Sequence, residues 1–416
     1  MPESVDTIIV GAGQAGLSVS SYLATAGRDH LILERGEIAE TWRSQRWESF
    51  TVNSPNWMNQ LPGDDRPLDK PNDFWPRDEL IESFTSHAKA KKLPVRDGTT
   101  VTGVNPGSRR NSFTIQTESG PFIAKNVVIA SGIMQTPRTP SISQELPSWI
   151  DQIHTAEYRN SSQLKSGGIL IVGSAQSGVQ IAEELIEEGK QVYLCTSKVG
   201  RSPRFYRGKD VLYWNIKAGF MDIGPRDLED PNMEFAPQVQ VSGTKGGHAV
   251  SLQQLAREGV IMLGGMKGAT GDIVTLADNL RDNYDQADTA SLALKTRIDE
   301  YIAKNEIDAP LAQEDPVEDA NPDVFANPKE SIDLKKEGIN TVIWCTGFTA
   351  DFSWIKGLEL TERGRPAHRD GISVIPGLYF IGFPWLRNRA SGLIYGAVRD
   401  AAHIASAISD GSNLIH

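Results

Sequence analysis

The sequence predicts an α/β fold of two Rossmann-like dinucleotide-binding domains, the second inserted into the first. Three observations carry this expectation. A strand-like run enters the turn Gly11-Ala12-Gly13-Gln14-Ala15-Gly16 and continues into a helical stretch. The same order recurs around Gly173-Ser174-Ala175-Gln176-Ser177-Gly178, and strand and helix patterns return near the end of the chain. At 416 residues the chain is also too long for one comfortable core.

In the first unit, residues 7–10 are the β-branched run of a buried parallel strand, and residues 17–26 form the following helix. Gly11 permits the tight turn, Gly13 lets backbone approach a pyrophosphate, and Gly16 lets the helix pack closely on the sheet. Gln14 and Ala15 complete the cradle, and the free N–H groups and dipole at the amino end of the helix favour phosphate. A second strand, residues 30–33, ends at Glu34, 23 positions beyond Gly11, where a carboxylate can accept from ribose hydroxyls; Arg35 follows it.

The second unit repeats this plan, with strand 168–172 and helix 179–188, but Ala175 replaces the middle glycine. Gly173, Ser174, Gln176, Ser177 and Gly178 form its expected cradle. The matching position 23 residues on is Thr196, so the ribose acid is missing. Ser197, Lys198, Arg201 and Arg204 follow, a basic cluster suited to a 2′-phosphate, which points to NADPH over NADH.

Between the cradles, residues 100–104, 112–116 and 122–125 read as antiparallel strands, and 126–132 as a buried strand closing the first sheet. Residues 340–348 and 377–382 read as further strands, with Gly347 and Gly382 where a cofactor would pass close to backbone, and 393–406 as a closing helix. Residues 222–247 and 305–330 read as loops, and 273–304 as one or two surface helices. The expected divisions are 1–160 and 331–416 for the two parts of the first domain and 161–330 for the inserted one.

A net charge of −11 argues against a nucleic-acid partner. No apolar run approaches the ~20 residues that span a bilayer, and the amino terminus has no signal pattern, so a cytoplasmic protein is expected. His30, His87, His154, His248, His368, His403 and His416 form no ligand-spaced cluster, and no metal site is expected. Cys195 and Cys345 stand 150 residues apart in different expected domains, which disfavours a dithiol relay.

Taken together, GAGQAG with Glu34, GSAQSG with its basic followers, the strand ending at Phe348, and residues 377–382 before a helix resemble the flavin-containing monooxygenases. More narrowly, they resemble the single-component, FAD- and NADPH-dependent class B flavoprotein monooxygenases with bacterial and plant auxin-pathway members. The resemblance implies FAD on the first cradle and NADPH on the second. It implies that Trp42 and Arg43 of Glu40-Thr41-Trp42-Arg43 line the flavin, that Val101 meets its adenine, and that backbone at Leu393 approaches its pyrimidine. It also implies oxygen transfer from a C4a-peroxyflavin to a small organic substrate, most simply at nitrogen or sulfur, with Asn53 as the leading donor to the distal oxygen and the amide of the retained nicotinamide as the alternative. The family's F-x-G-x-x-x-H-x-x-x-[YFW] signature is half present: His154 and Tyr158 match, whereas Ser148 and Ile150 replace Phe and Gly. Baeyer-Villiger ketone oxygenation, electron transfer to a carrier without oxygen insertion, and a non-enzymatic dinucleotide sensor are the alternatives. Beyond substrate and dioxygen, self-association into a homo-oligomer is compatible with the sequence.

Overall fold

In the computed structural model, residues 2–107, 112–236 and 239–411 are described, and they form the expected α/β architecture around two sheets. The first half begins with β1 (Glu3–Val10), α1 (Gln14–Thr25), β2 (His30–Leu33), the short α2 (Glu40–Ser44) and α3 (Arg77–Ala90). Next come β3 (Val95–Arg96), β4 (Val101–Pro106), β5 (Phe113–Thr117) and β6 (Phe122–Ile129). β1 pairs in parallel with β2 on one side and β6 on the other, and the fully buried run Ile8–Ile9 shows why these strands carry no polar alternation.

The expected strands 122–125 and 126–132 are one continuous strand. Residues 122–124 pair antiparallel with β5, while the whole of β6 runs parallel to β1, so one element serves both the meander and the central sheet. Leu378–Phe380 then adds to the other edge of β6 in parallel, returning the chain to the first sheet.

Beyond β7 (Thr136–Pro137), the second sheet is built from β8 (Asp151–His154), β9 (Gly168–Val172), β10 (Val192–Cys195), Ile261–Leu263 and Ile339–Trp344. Its helices are α4 (Gln176–Glu187), α5 (Val211–Lys217), α6 (Leu252–Arg257) and α7 (Leu280–Lys304). Residues 339–344, expected in the completion of the first domain, instead pair with β9 and β8 in this sheet. Their apolar character suits either sheet, and it is the register beside β9 that decides. The stretch carrying His154 lies at the edge of this sheet as β8. Residues 273–304 also divide differently: Ile273–Leu276 is a strand between Met266–Thr270 and Ser331–Asp333, and only α7 is helical.

α8 (Ile394–Asp410) packs on α1, and one apolar cluster runs from Leu17, Leu23 and Ile404 through Trp47, Phe50 and Tyr158 to Val179 and Leu185. The helix layers of the two sheets therefore share a core, which fixes the two glycine turns relative to each other.

Both turns depend on the same close approach. A Cβ on Gly16 would lie 1.9 Å from the Gly11 carbonyl oxygen, and one on Gly178 would lie 1.8 Å from that of Gly173. Gly16→Ala and Gly178→Ala should each destabilise the protein by about 1–3 kcal/mol through forced backbone shifts. Gly13, at φ −82° with open space around its Cα, should accept Ala with a change below about 0.5 kcal/mol. Thermal unfolding of the three apoproteins checks this; equal losses at Gly13 and Gly16 would contradict it.

Candidate active site

The carboxyl ends of the second sheet's strands, at Val172, Cys195 and Trp344, open onto a cavity of about 990 Å³, the place where ligands of open α/β folds bind. It reaches from Gln14 and Trp42 at the first turn to Gly173, Ala175 and Ser177 at the second, with Asn53 and Gly347 between. Leu393, at the start of α8, closes one side.

At the first turn, Gly11 sits at φ +108°, with its N–H bonded to the Leu33 carbonyl at 2.9 Å. Glu34, nearly buried, accepts from the Ala12 N–H at 2.7 Å and the Gly36 N–H at 3.1 Å, so its carboxylate fastens the turn to the next loop. The Thr99 N–H bonds to the Glu34 carbonyl, which brings Val101 near this site, and Arg35 is exposed beside it. Gln14 Oε1 accepts from the Trp42 indole at 3.2 Å, joining the first turn to α2. Arg43 is turned away, donating to the Ile38 carbonyl at 2.9 Å. Gly382, at φ +78°, approaches the turn so closely that a Cβ would lie 2.7 Å from Ala15.

At the second turn Gly173 repeats φ +104°, and Ala175 occupies the N-cap of α4 in the extended backbone that Gly13 adopts before α1. Ser174 Oγ accepts the Ser197 N–H at 2.9 Å. Gln176 grips Val241 twice, donating to its carbonyl at 2.6 Å and accepting from its N–H at 3.2 Å.

Among the described residues, neither α1 nor α4 has a side-chain cap or an acidic residue in its first turn, whereas Asp210 caps α5 and Ser251 caps α6. The N–H groups of α1 and α4 are thus left for an anion, and both turns fit a pyrophosphate.

The expected basic cluster is divided. Arg201 is 4 % exposed and bonds Asp288 and Glu318, each at 2.8 Å; Arg204 is 1 % exposed, paired with Asp210 and stacked 4.3 Å over Phe74. Desolvation makes free guanidinium groups unfavourable at these depths, so both are consumed internally and neither faces a ribose. Lys198 is exposed and Ser197 lines the cavity. The backbone donor expected at Leu393 is also taken: its N–H bonds to the Ala390 carbonyl at 2.7 Å, leaving the next N–H groups of α8 as the free donors.

Asn53 is held by three donors. Its Oδ1 accepts from Gln180 Nε2 at 3.0 Å and from the Gly243 N–H at 3.3 Å, and its carbonyl accepts from Arg204 Nη1 at 2.7 Å. A backbone N–H can only donate, so the side-chain atom facing Gly243 is the oxygen, and the Nδ2 donor is the other end of the amide. Among the described residues Nδ2 has no protein acceptor, and Asn53 lines the cavity.

His154 Nδ1 accepts from the Ala156 N–H at 3.1 Å, so Nε2 carries the proton to the Gly347 carbonyl at 3.0 Å; burial holds its pKa below the usual imidazole value. Tyr158, fully buried, donates to Glu184 at 2.7 Å. Both matches to the half signature therefore join elements together and do not line the cavity.

Cys195 and Cys345 do line it, and they end strands of one sheet on either side of β9. The expectation that they lie in different domains fails, but burial pushes both thiols up to about 12, so neither supplies a thiolate at neutral pH.

Sequence reasoning passed over Arg46 and Gln180. Arg46 faces the cavity over the rings of Trp42 and Phe50 at 5.4 and 5.6 Å, with no carboxylate partner among the described residues, and burial lowers its pKa to about 10. Its only signal was nearness to Trp42. Gln180 lies inside an ordinary helical run and carried none.

Among the described residues no group of side chains could hold a metal ion, and no helix is long and apolar enough to cross a membrane; His416 lies outside them.

Residues 8–219 match the pyridine nucleotide-disulphide oxidoreductase family. The chain is 30% identical to an uncharacterized oxidoreductase, CzcO, of Bacillus subtilis, over 96% of this chain and 97% of that protein. It is 24% identical to the indole-3-pyruvate monooxygenase YUCCA1 of rice, over 96% and 90% of the two chains. The flavin-containing monooxygenase from Stenotrophomonas maltophilia superposes with a TM-score of 0.66 at 18% identity, covering 98% of this chain and 99% of that one. The chain belongs to the pyridine nucleotide-disulphide oxidoreductase family.

Proposed function

We propose that this oxidoreductase is an NADPH-dependent monooxygenase that oxygenates a small organic substrate at nitrogen or sulfur. FAD would lie on the α1 turn with Glu34 and Val101 toward its adenosine half, and NADPH on the α4 turn with Lys198 toward its 2′-phosphate. The chemistry that bound FAD supplies is activation of dioxygen with electrons from NADPH.

The observation that carries this reading is the composition of the cavity wall. Among the described residues it contains no Asp, Glu, His, Lys or Tyr; its titratable groups are Arg46, Arg138, Arg389 and two thiols kept protonated by burial. General acid–base chemistry by the protein has no agent there. Oxygen transfer to a soft nucleophile needs none. What it needs is a fixed hydrogen-bond donor, a dry wall and alignment, which Asn53 Nδ2, the apolar side chains Phe50, Met134, Val241 and Phe348, and the two turns provide.

A second reading rests on Arg46, whose uncompensated charge favours an oxyanion and so Baeyer-Villiger oxygenation of a ketone. Mass spectrometry with ¹⁸O-labelled dioxygen distinguishes the two. Incubation with FAD, NADPH and a panel of tertiary amines, sulfides, ketones and indole-3-pyruvate should give one labelled oxygen in an N- or S-oxide. Labelled ester would move the assignment to the second reading, and NADPH consumption with no labelled product from any of them would contradict both. Asn53→Ala should cut labelled product roughly tenfold or more, the loss of about one charge-stabilising hydrogen bond.

Cofactor choice gives a separate check. Lys198→Ala should lower the NADPH-over-NADH preference roughly tenfold, about 1.4 kcal/mol. Arg201→Ala should leave that preference in place and instead destabilise the fold by about 1–2 kcal/mol, the loss of its hydrogen bonds to Asp288 and Glu318, since Asp288 is half-exposed and Glu318 keeps Lys295. Steady-state kinetics with both dinucleotides, with urea unfolding alongside, separates these effects.

A further inference from the structure

We propose that Gln180 is a positioning residue for Asn53, so that the helix of the second glycine turn sets which end of the Asn53 amide faces the cavity. This rests on the reading of Asn53 Nδ2 as the donor at the reacting oxygen. The geometry behind it is specific. Asn53 belongs to the stretch between α2 and α3, yet all three of its donors, Gln180, Gly243 and Arg204, come from the second unit.

Rotating the Asn53 amide by half a turn would bring Nδ2 against two donors, Gln180 Nε2 and the Gly243 N–H, and would present an acceptor to the cavity. Gln180 is 5 % exposed, and its Oε1 has no partner among the described residues, so the hydrogen bond to Asn53 is the one its side chain makes there.

The second donor on Oδ1 is held by the same helix. Gln176, one turn before Gln180 on the same face of α4, grips Val241 through two hydrogen bonds, and Gly243 follows two residues later. A Cβ on Gly243 would lie 2.1 Å from the Val52 carbonyl oxygen, so the loop is pressed directly on the residue before Asn53. α4 thus controls both contacts, one directly and one through the loop. The turn that begins this helix is the turn assigned to NADPH, so the dinucleotide site and the orientation of the oxygen-facing amide share one rigid element.

The test uses the full-length protein loaded with FAD. Gln180→Met removes the donor at similar volume, and Gln180→Glu puts an acceptor in its place. FAD content and the anaerobic rate of flavin reduction by NADPH should change less than twofold in either variant. The aerobic rate of hydrogen peroxide release without substrate, NADPH + H⁺ + O₂ giving NADP⁺ + H₂O₂, should rise at least threefold, and more for Gln180→Glu than for Gln180→Met. Asn53→Ala should show the same rise, and Asn53→Ala/Gln180→Met no further one. Multiplying effects in the double variant, or an unchanged peroxide rate in both Gln180 variants while Asn53→Ala raises it, would overturn the inference.

Urea unfolding of the four apoproteins gives a readout independent of turnover. The shifts in midpoint should be non-additive, whereas additive shifts would overturn the coupling. Failure of NADPH to reduce the flavin of the unsubstituted protein would defeat the proposed function instead, and the unfolding cycle would still decide the role of Gln180.

Discussion

Two helices pass so close to the turns preceding them that a single added carbon at Gly16 or Gly178 would strike a carbonyl oxygen. That approach is what the rest of the molecule depends on. It aims the uncapped N-termini of α1 and α4 past the ends of their strands, and the shared apolar cluster between the helix layers then points both at one cavity. An anion-binding dipole at each end and an apolar wall between them suit two dinucleotides meeting by their redox-active ends.

The middle of the cavity has the opposite character from its ends. It is lined by aromatic and aliphatic side chains, guanidinium groups and amides, with no acid or base among the described residues positioned to shuttle protons. Such a site contributes through shape, exclusion of water and the direction of a few hydrogen bonds. The buried Arg204 fits this picture as a fastener: it pairs with Asp210, stacks on Phe74 and donates to the Asn53 carbonyl, tying the second unit to the segment that carries the amide.

How much of this was legible in the sequence depended on whether the signal was local. The glycine turns, β1, β2, β9 and α4 were readable because strand, turn and helix each leave a short-range pattern at known spacing. The placement of Glu34 beside the first turn was readable for the same reason, whereas its two backbone donors, Ala12 and Gly36, were not. The sheet that takes residues 339–344 was not, since a run of buried β-branched residues is equally at home beside β9 or β6 and only pairing register chooses. The fate of Arg201 and Arg204 was hidden as well. Their partners Glu318, Asp288 and Asp210 lie on other elements, and a basic run in sequence does not reveal whether it meets solvent or acid. Gln180 left no trace because its role exists only where α4 meets the loop carrying Gly243 and the stretch carrying Asn53.

The central claim is that the two turns seat a flavin and a phosphorylated nicotinamide dinucleotide against the same cavity, close enough for hydride to pass between them. Anaerobic titration of the FAD-reconstituted protein with NADPH, followed through the flavin's visible absorption, tests it most directly. The account predicts stoichiometric bleaching by one equivalent of NADPH and recovery of the yellow colour on admitting air. A protein that takes up no FAD, or whose bound flavin stays oxidised in excess NADPH, would contradict it.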